Sequence, residues 1–188
     1  METAEAPDRD LDHLVDRLRA HGITYLTGGS DRAAGETTGE ASVREIDSLV
    51  LGLARAPEAR LRDALISLLL RHPQYARVAE AVALGLPPED VARAQLLLSI
   101  VVAAALQAEW DFSLRISLPD APVIEADRVA AELGLPLPAL DFGRPALRAA
   151  AQRMPSRIEF PVDHCRGWED AVRRLLAQCV REARTRGA

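Results

Sequence analysis

Lysine and asparagine are absent from this chain, and all 23 of its basic side chains are arginine. Arg, Ala, Gly and Pro have GC-rich codons and Lys and Asn do not, so the absence fits the coding bias of a GC-rich bacterial genome and needs no special arginine chemistry. Aromatic residues make up only 4% of the chain, and β-branched residues never alternate with polar ones over a strand's length, which argues against a sheet protein. There are two cysteines, Cys165 and Cys179, without CxxC spacing, so neither a zinc framework nor a disulfide scaffold is expected; whether the two pair is left open. The opening "METAEAPDRD" lacks the basic-then-apolar order of a signal peptide, and a cytoplasmic protein is the expectation. The longest uncharged run, "AQLLLSIVVAAALQA" at 94–108, is shorter than the roughly 20 residues that span a bilayer, so it reads as a core helix and no membrane is expected.

What the chain has in quantity is Ala (33) and Leu (27) among 188 residues, both strong helix formers. The expected fold is all-α: one domain over 1–188 with seven to eight helices, the apolar one central. A short extended segment is expected at 23–26 and a flexible polar loop at 27–41. The net charge of -5 argues against a general polyanion binder. Its distribution is uneven, however, and only the C-terminal end is basic.

Leu11, Leu14, Val15 and Leu18 recur at helical spacing, with Gly22 placed to end that helix. Ser42 and Glu45 have capping-box spacing ahead of the apolar face Ile46, Leu49, Val50 and Leu53. Further helices are expected from Pro57 to about His72, within 73–84, and from Pro88 to about Phe112. After two short helices with extended connectors, a last amphipathic helix is expected to bury Trp168, Val172, Leu175, Leu176, Cys179 and Val180. Acids four residues ahead of an Arg recur (Glu58 and Arg62, Glu89 and Arg93, Glu169 and Arg173, Asp170 and Arg174), a spacing that gives those arginines intrahelical partners.

The stretch "LVDRLRAHGITYLTGGS" resembles the first half of a minimal nucleotidyltransferase, in which a helix and a strand lead to a phosphate-holding Gly-Ser turn and then to a Mg²⁺-binding acid pair. The resemblance covers about residues 11–51. It implies that Gly28, Gly29 and Ser30 hold phosphate and that Glu45 and Asp47 hold the metal. Three features stand against it. "DRAAGETTGEA" has no apolar face with which to pack the helix that should follow the turn; a capping box places Glu45 and Asp47 about 200° apart on a helix; and no third acidic strand precedes Pro57.

Asp163, His164 and Cys165 are ligand types, but consecutive residues point apart and no second cluster exists, so no metal is expected. His13 and His21 read as solvated, and His72 as serving the last-turn carbonyls of its helix. "VAEAVALGLPPEDVARAQ" has a helix-turn-helix outline, but its second helix runs into the least polar segment of the chain, so nucleic acid is not expected. The apolar "LGLPLPAL" either covers the helices or displays Leu135, Leu137 and Leu140 to a partner. Arg173, Arg174, Arg181 and Arg184 form the main cationic surface.

With no constellation meeting the geometric needs of catalysis, the reading is non-enzymatic: a regulatory, adaptor or antitoxin-like subunit that binds another protein, with self-association open and no cofactor. A degenerate nucleotidyltransferase is one alternative. The other is a ligand-responsive regulator with a closed apolar pocket beside Trp110 or Trp168.

Overall fold

The computed structural model describes residues 6–26, 43–154 and 163–186. Among them are nine α-helices and no strand: α1 (Ala6–Ala20), α2 (Val43–Arg55), α3 (Ala59–Arg71), α4 (Tyr75–Leu84), α5 (Val91–Glu109), α6 (Asp111–Ser117), α7 (Asp127–Glu132), α8 (Arg144–Arg153) and α9 (His164–Arg186). The all-α expectation holds, with the apolar helix central. α5 packs against α2, α3, α4, α7 and α8, and it is buried continuously from Gln95 to Leu106. By length and composition α5 could cross a membrane, but most of it is covered by the other helices. Its two buried polar residues bond each other, Gln95 Nε2 to Ser99 Oγ at 3.3 Å, so neither faces the apolar core unpaired.

Two helix ends follow from glycine. Gly22 has φ +76°, its N–H donates to Arg19 O (2.9 Å) and that of Ile23 to Leu18 O (2.8 Å), while Leu18 and Ile23 are both buried. Gly134 (φ +60°) repeats the pattern: its N–H bonds Ala131 O at 3.0 Å, Leu135 N–H bonds Ala130 O at 2.8 Å, and Ala130 and Leu135 are buried. This is the left-handed termination in which an apolar residue after the glycine folds back on the helix it closes. Residues 23–26 therefore run as a loop after α1 and not as a strand.

Several local expectations give way to other contacts. The helix expected from Pro88 to Phe112 breaks at Trp110 (φ −105°, ψ 19°), whose ring lies 5.8 Å beneath the Arg173 guanidinium of α9. Arg62 donates to Ala56 O and Pro57 O instead of pairing with Glu58, whose carboxylate takes Arg60. Arg93 turns to Leu86 O, and the cap of α5 is Asp90, which accepts from Ala92 N–H at 2.8 Å and pairs with Arg55. Arg173 takes both Glu169 and Asp170, which frees Arg174 to cover Tyr25. A carbonyl or ring outside the helix came within reach of Arg62, Arg93 and Arg174, and Arg173 reached a second acid on its own helix. Ser42, the expected cap of α2, lies outside the described residues.

Candidate functional site

α5, α6 and the chain that follows build a cleft of about 1050 Å³. Its floor is apolar, formed by Leu70, Ala104, Ala108, Leu114, Ile124 and Val129; Arg77 and Glu80 of α4 stand on one side, Asp111 and Arg115 of α6 on the other. The elbow at Trp110 sets α6 across the end of α5, with Asp111, Leu114, Arg115 and Leu118 all lining the cleft, a helical i, i+3, i+4, i+7 set. Residues 118–126 then return along the floor. Gln107 secures them at two points, donating to Pro122 O (2.9 Å) and accepting from Ile124 N–H (2.8 Å). Ile124 is thereby turned in and Val123 out, 71% exposed. Ion pairs from Arg77 to Glu125 (3.1 Å) and from Arg128 to Glu80 tie α4 to the connector and to α7.

The remaining side is a single turn, Leu140–Gly143, with an uncommon backbone. Asp141 (φ 45°) and Phe142 (φ 55°) are both left-handed, and Gly143 (φ +77°) follows them in the same sense. For residues other than glycine this conformation costs about 1–2 kcal/mol each. The turn is held because Gly143 lies directly against α5, where a Cβ would come within 2.2 Å of Ala105 O. Its product is an aromatic ring on the cleft wall that is 73% exposed. Leu140 in the same turn and Phe112 and Ile116 on the shoulder of α6 are exposed as well.

A second group of polar residues lies where the loop after α1 meets α3 and α9. Tyr25 Oη and Ser67 Oγ are 2.7 Å apart, Thr24 N–H donates to Gln178 Oε1 (3.0 Å), and Arg71 pairs with Glu182 (2.9 Å). Burial pushes the Tyr25 phenol up to about 12 and the Asp63 carboxyl up to about 6, the latter opposed by Arg62 and Arg174. Asp63 faces α9 at Gly167, where a Cβ would come 3.3 Å from its Oδ2. Ser67 is fully buried with its hydroxyl engaged, so it is not an accessible nucleophile. Nearby, His72 Nε2 bonds His21 O (2.8 Å) and Tyr75 Oη bonds His21 Nδ1 (3.1 Å). His21 is therefore packed and not solvated, and His72 serves a carbonyl of the preceding loop, not of its own helix. Burial lowers the pKa of both imidazoles, with Arg17 adding to the effect on His21 and Arg71 on His72.

The residues singled out in the sequence are dispersed. Gly28, Gly29 and Ser30 lie outside the described residues. Glu45 and Asp47 are both on α2, where residues two apart point to different sides, and the backbone carbonyl of Glu45 accepts from Arg17. Asp163 Oδ1 accepts from Arg166 N–H (3.1 Å) at the start of α9, and His164 stacks on Trp168. Cys165 and Cys179 are free thiols whose pKa burial raises, which favours the protonated thiol over the thiolate. No group of three metal-ligating side chains occurs among the described residues. Arg181 and Arg184 are exposed. Leu135 is buried, while Leu137 and Leu140 are exposed, so the proline-rich connector both covers the core and presents side chains outward.

Sequence reasoning missed Phe142, Val123 and Gln107. A signal for the first was present in "LDFGRP", where a phenylalanine precedes Gly and Arg-Pro and has no helix face to serve. Neither tryptophan lines the cleft. No protein-family model, curated protein or solved structure matches the chain.

Proposed function

We propose that this chain is a non-enzymatic interaction protein, a regulatory or adaptor subunit that receives a segment of another protein in the cleft beside α6. The observation that carries the reading is the Leu140–Gly143 turn. Two consecutive left-handed residues are retained where their product is an exposed phenylalanine at the wall of an apolar cleft. Strain of this kind persists where the surrounding structure enforces it, and it concentrates at binding sites. Phe142 and Val123 present exposed apolar side chains on the lining of one concavity, and Leu140, Phe112 and Ile116, exposed as well, are chain neighbours of lining residues, the pattern of an anchor site. The polar cluster around Tyr25 and Asp63 supports the same reading from the other side, because its hydroxyls and amide are spent on holding the loop to α3 and α9.

The test separates binding from folding. Asn tolerates the left-handed region better than Phe does, and an exposed ring contributes little burial. Phe142→Asn is therefore expected to leave the melting temperature unchanged or raised while abolishing co-purification of the partner from the native host. Retention of a stoichiometric partner by Phe142→Asn combined with Val123→Asp would place the interface elsewhere.

A further inference from the structure

We infer that the occupant of the cleft is an amphipathic helix from another protein, with large apolar anchors and a basic edge; the inference rests on the reading of the cleft as a protein-binding site. Helices form most of its walls, and their backbone groups are already spent within those helices. Gln107 takes up two backbone groups of the connector, Pro122 O and Ile124 N–H. Recognition must then run through side chains, as it does when a helix lies in a groove, and not through strand addition.

The charge of the occupant follows from what the cleft leaves unpaired. Its three arginines are all engaged, Arg77 with Glu125, Arg115 with Asp111 and Arg128 with Glu80. Asp127 on the wall, and Asp120 and Asp141 beside wall residues, are exposed and carry no ion pair among the described residues. An apolar trough whose cations are neutralised and whose surplus charge is negative complements an apolar helix edged with Arg or Lys and repels one edged with acids. A second copy of this chain is the poorer occupant. Its exposed basic strip on α9, Ala177, Val180, Arg181 and Arg184, has the charge, but Val180 is its only large anchor.

Three synthetic peptides of about 18 residues, roughly 27 Å of helix, provide the test. All carry Leu at i, i+3, i+4 and i+7, with Arg, Gln or Glu at the polar positions, and binding to the full chain is read by fluorescence anisotropy. The Arg peptide is expected to bind about tenfold more tightly than the Gln peptide and the Glu peptide least. The advantage should shrink between ~0.1 M and ~1 M salt, as the Debye length falls from about 10 to about 3 Å. Asp120→Asn, Asp127→Asn and Asp141→Asn together should remove that advantage and leave the Gln peptide unchanged. Neutralising the distant Asp12 and Asp16 on α1 should change nothing, which guards against general attraction to an acidic protein. Equal binding of the Arg and Gln peptides, still lost in Phe142→Asn, would overturn the basic edge and leave the cleft a protein-binding site. Absence of any binding that depends on Phe142 overturns both. Concentration-dependent self-association abolished by Arg181→Glu with Arg184→Glu, and blocking the peptides, assigns the cleft to a second copy and overturns the inference.

Discussion

Glycine 143 shows how much one missing methyl group can decide. Its positive φ and its approach to Ala105 O act together, so Gly143→Ala meets both a strained backbone and a clash with a carbonyl that α5 cannot move. A loss of at least about 3 kcal/mol is expected from urea denaturation midpoints. Gly134 is the control. It is also left-handed, but nothing lies nearer its Cβ position than Arg153 at 4.0 Å, so Gly134→Ala should cost only about 1–2 kcal/mol. Equal losses at the two sites would show that the contact with α5 contributes nothing.

Asp63 makes a different single-residue prediction. Its folded pKa, about 6, lies above the ordinary 3.8, so the folded state favours the protonated form. The associated stability is present below about pH 4 and is lost as pH rises through 6. Asp63→Asn, which keeps the shape and cannot ionise, should therefore stabilise the protein by about 2 kcal/mol at pH 8 and by much less at pH 4. The imidazoles of His21 and His72 act in the opposite direction. Their pKa values are depressed, so their contribution is complete above about pH 6.5 and is lost as pH falls through the folded values. Thermal melts of Asp63→Asn against the parent chain across pH 4–8 separate the two effects; a pH-independent difference would remove the carboxyl from the account.

Among the helices, α9 tests how far periodicity predicts burial. The spacing of Trp168, Val172, Leu175, Leu176, Cys179 and Val180 placed all six inward, yet Val180, one turn beyond Leu176 and further round from the buried stripe, is 47% exposed. Leu175 is fully buried, but Leu176 is only partly so, because it lies at the edge of the buried stripe, about 100° further round the helix. Leu175→Ala is expected to cost about 2–5 kcal/mol and Leu176→Ala clearly less, as read from chemical denaturation; the reverse order would mean that α9 is rotated. The same helix shows why short-range charge spacing misleads. Glu169 and Asp170 were expected to take one arginine each, yet Arg173 takes both and Arg174 covers the Tyr25 ring 5.9 Å away. Intrahelical pairs contribute only tenths of a kcal/mol, so a neighbouring ring or carbonyl readily displaces them.

Taken as one body, the molecule separates a polar seam that holds α1, α3 and α9 together from an apolar cleft at the far end of α5. The seam spends its hydrogen bonds internally, and the cleft leaves its apolar side chains unspent. Charge reversal at Arg181 and Arg184, neither of which has an ion pair among the described residues, is expected to leave the melting temperature unchanged. If those residues contact an acidic partner, the reversal should weaken that complex most at low salt. A complex that does not respond to either substitution or to salt leaves α9 without a recognition role.

Helical class, the central place of α5 and the glycine-terminated end of α1 were legible in the sequence, because each rests on interactions within a few residues: helix propensity, one apolar face, or a left-handed glycine followed by a residue that folds back. The elbow at Trp110, the partners of Arg62, Arg93 and Arg174, the packing of His21 on His72 and Tyr75, and the cleft itself were not. Each is settled by a group outside the local helix, a few residues away for Arg62 and Arg93 and far away in the chain for the rest: Arg173 over Trp110, Gln107 on Pro122 and Ile124, Ala105 O against Gly143. A local pattern states which side chains a helix must bury. Only the packed arrangement decides which carbonyl, ring or acid comes within 3–6 Å, and hydrogen bonds and ion pairs fall off too steeply with distance for sequence spacing to choose among partners.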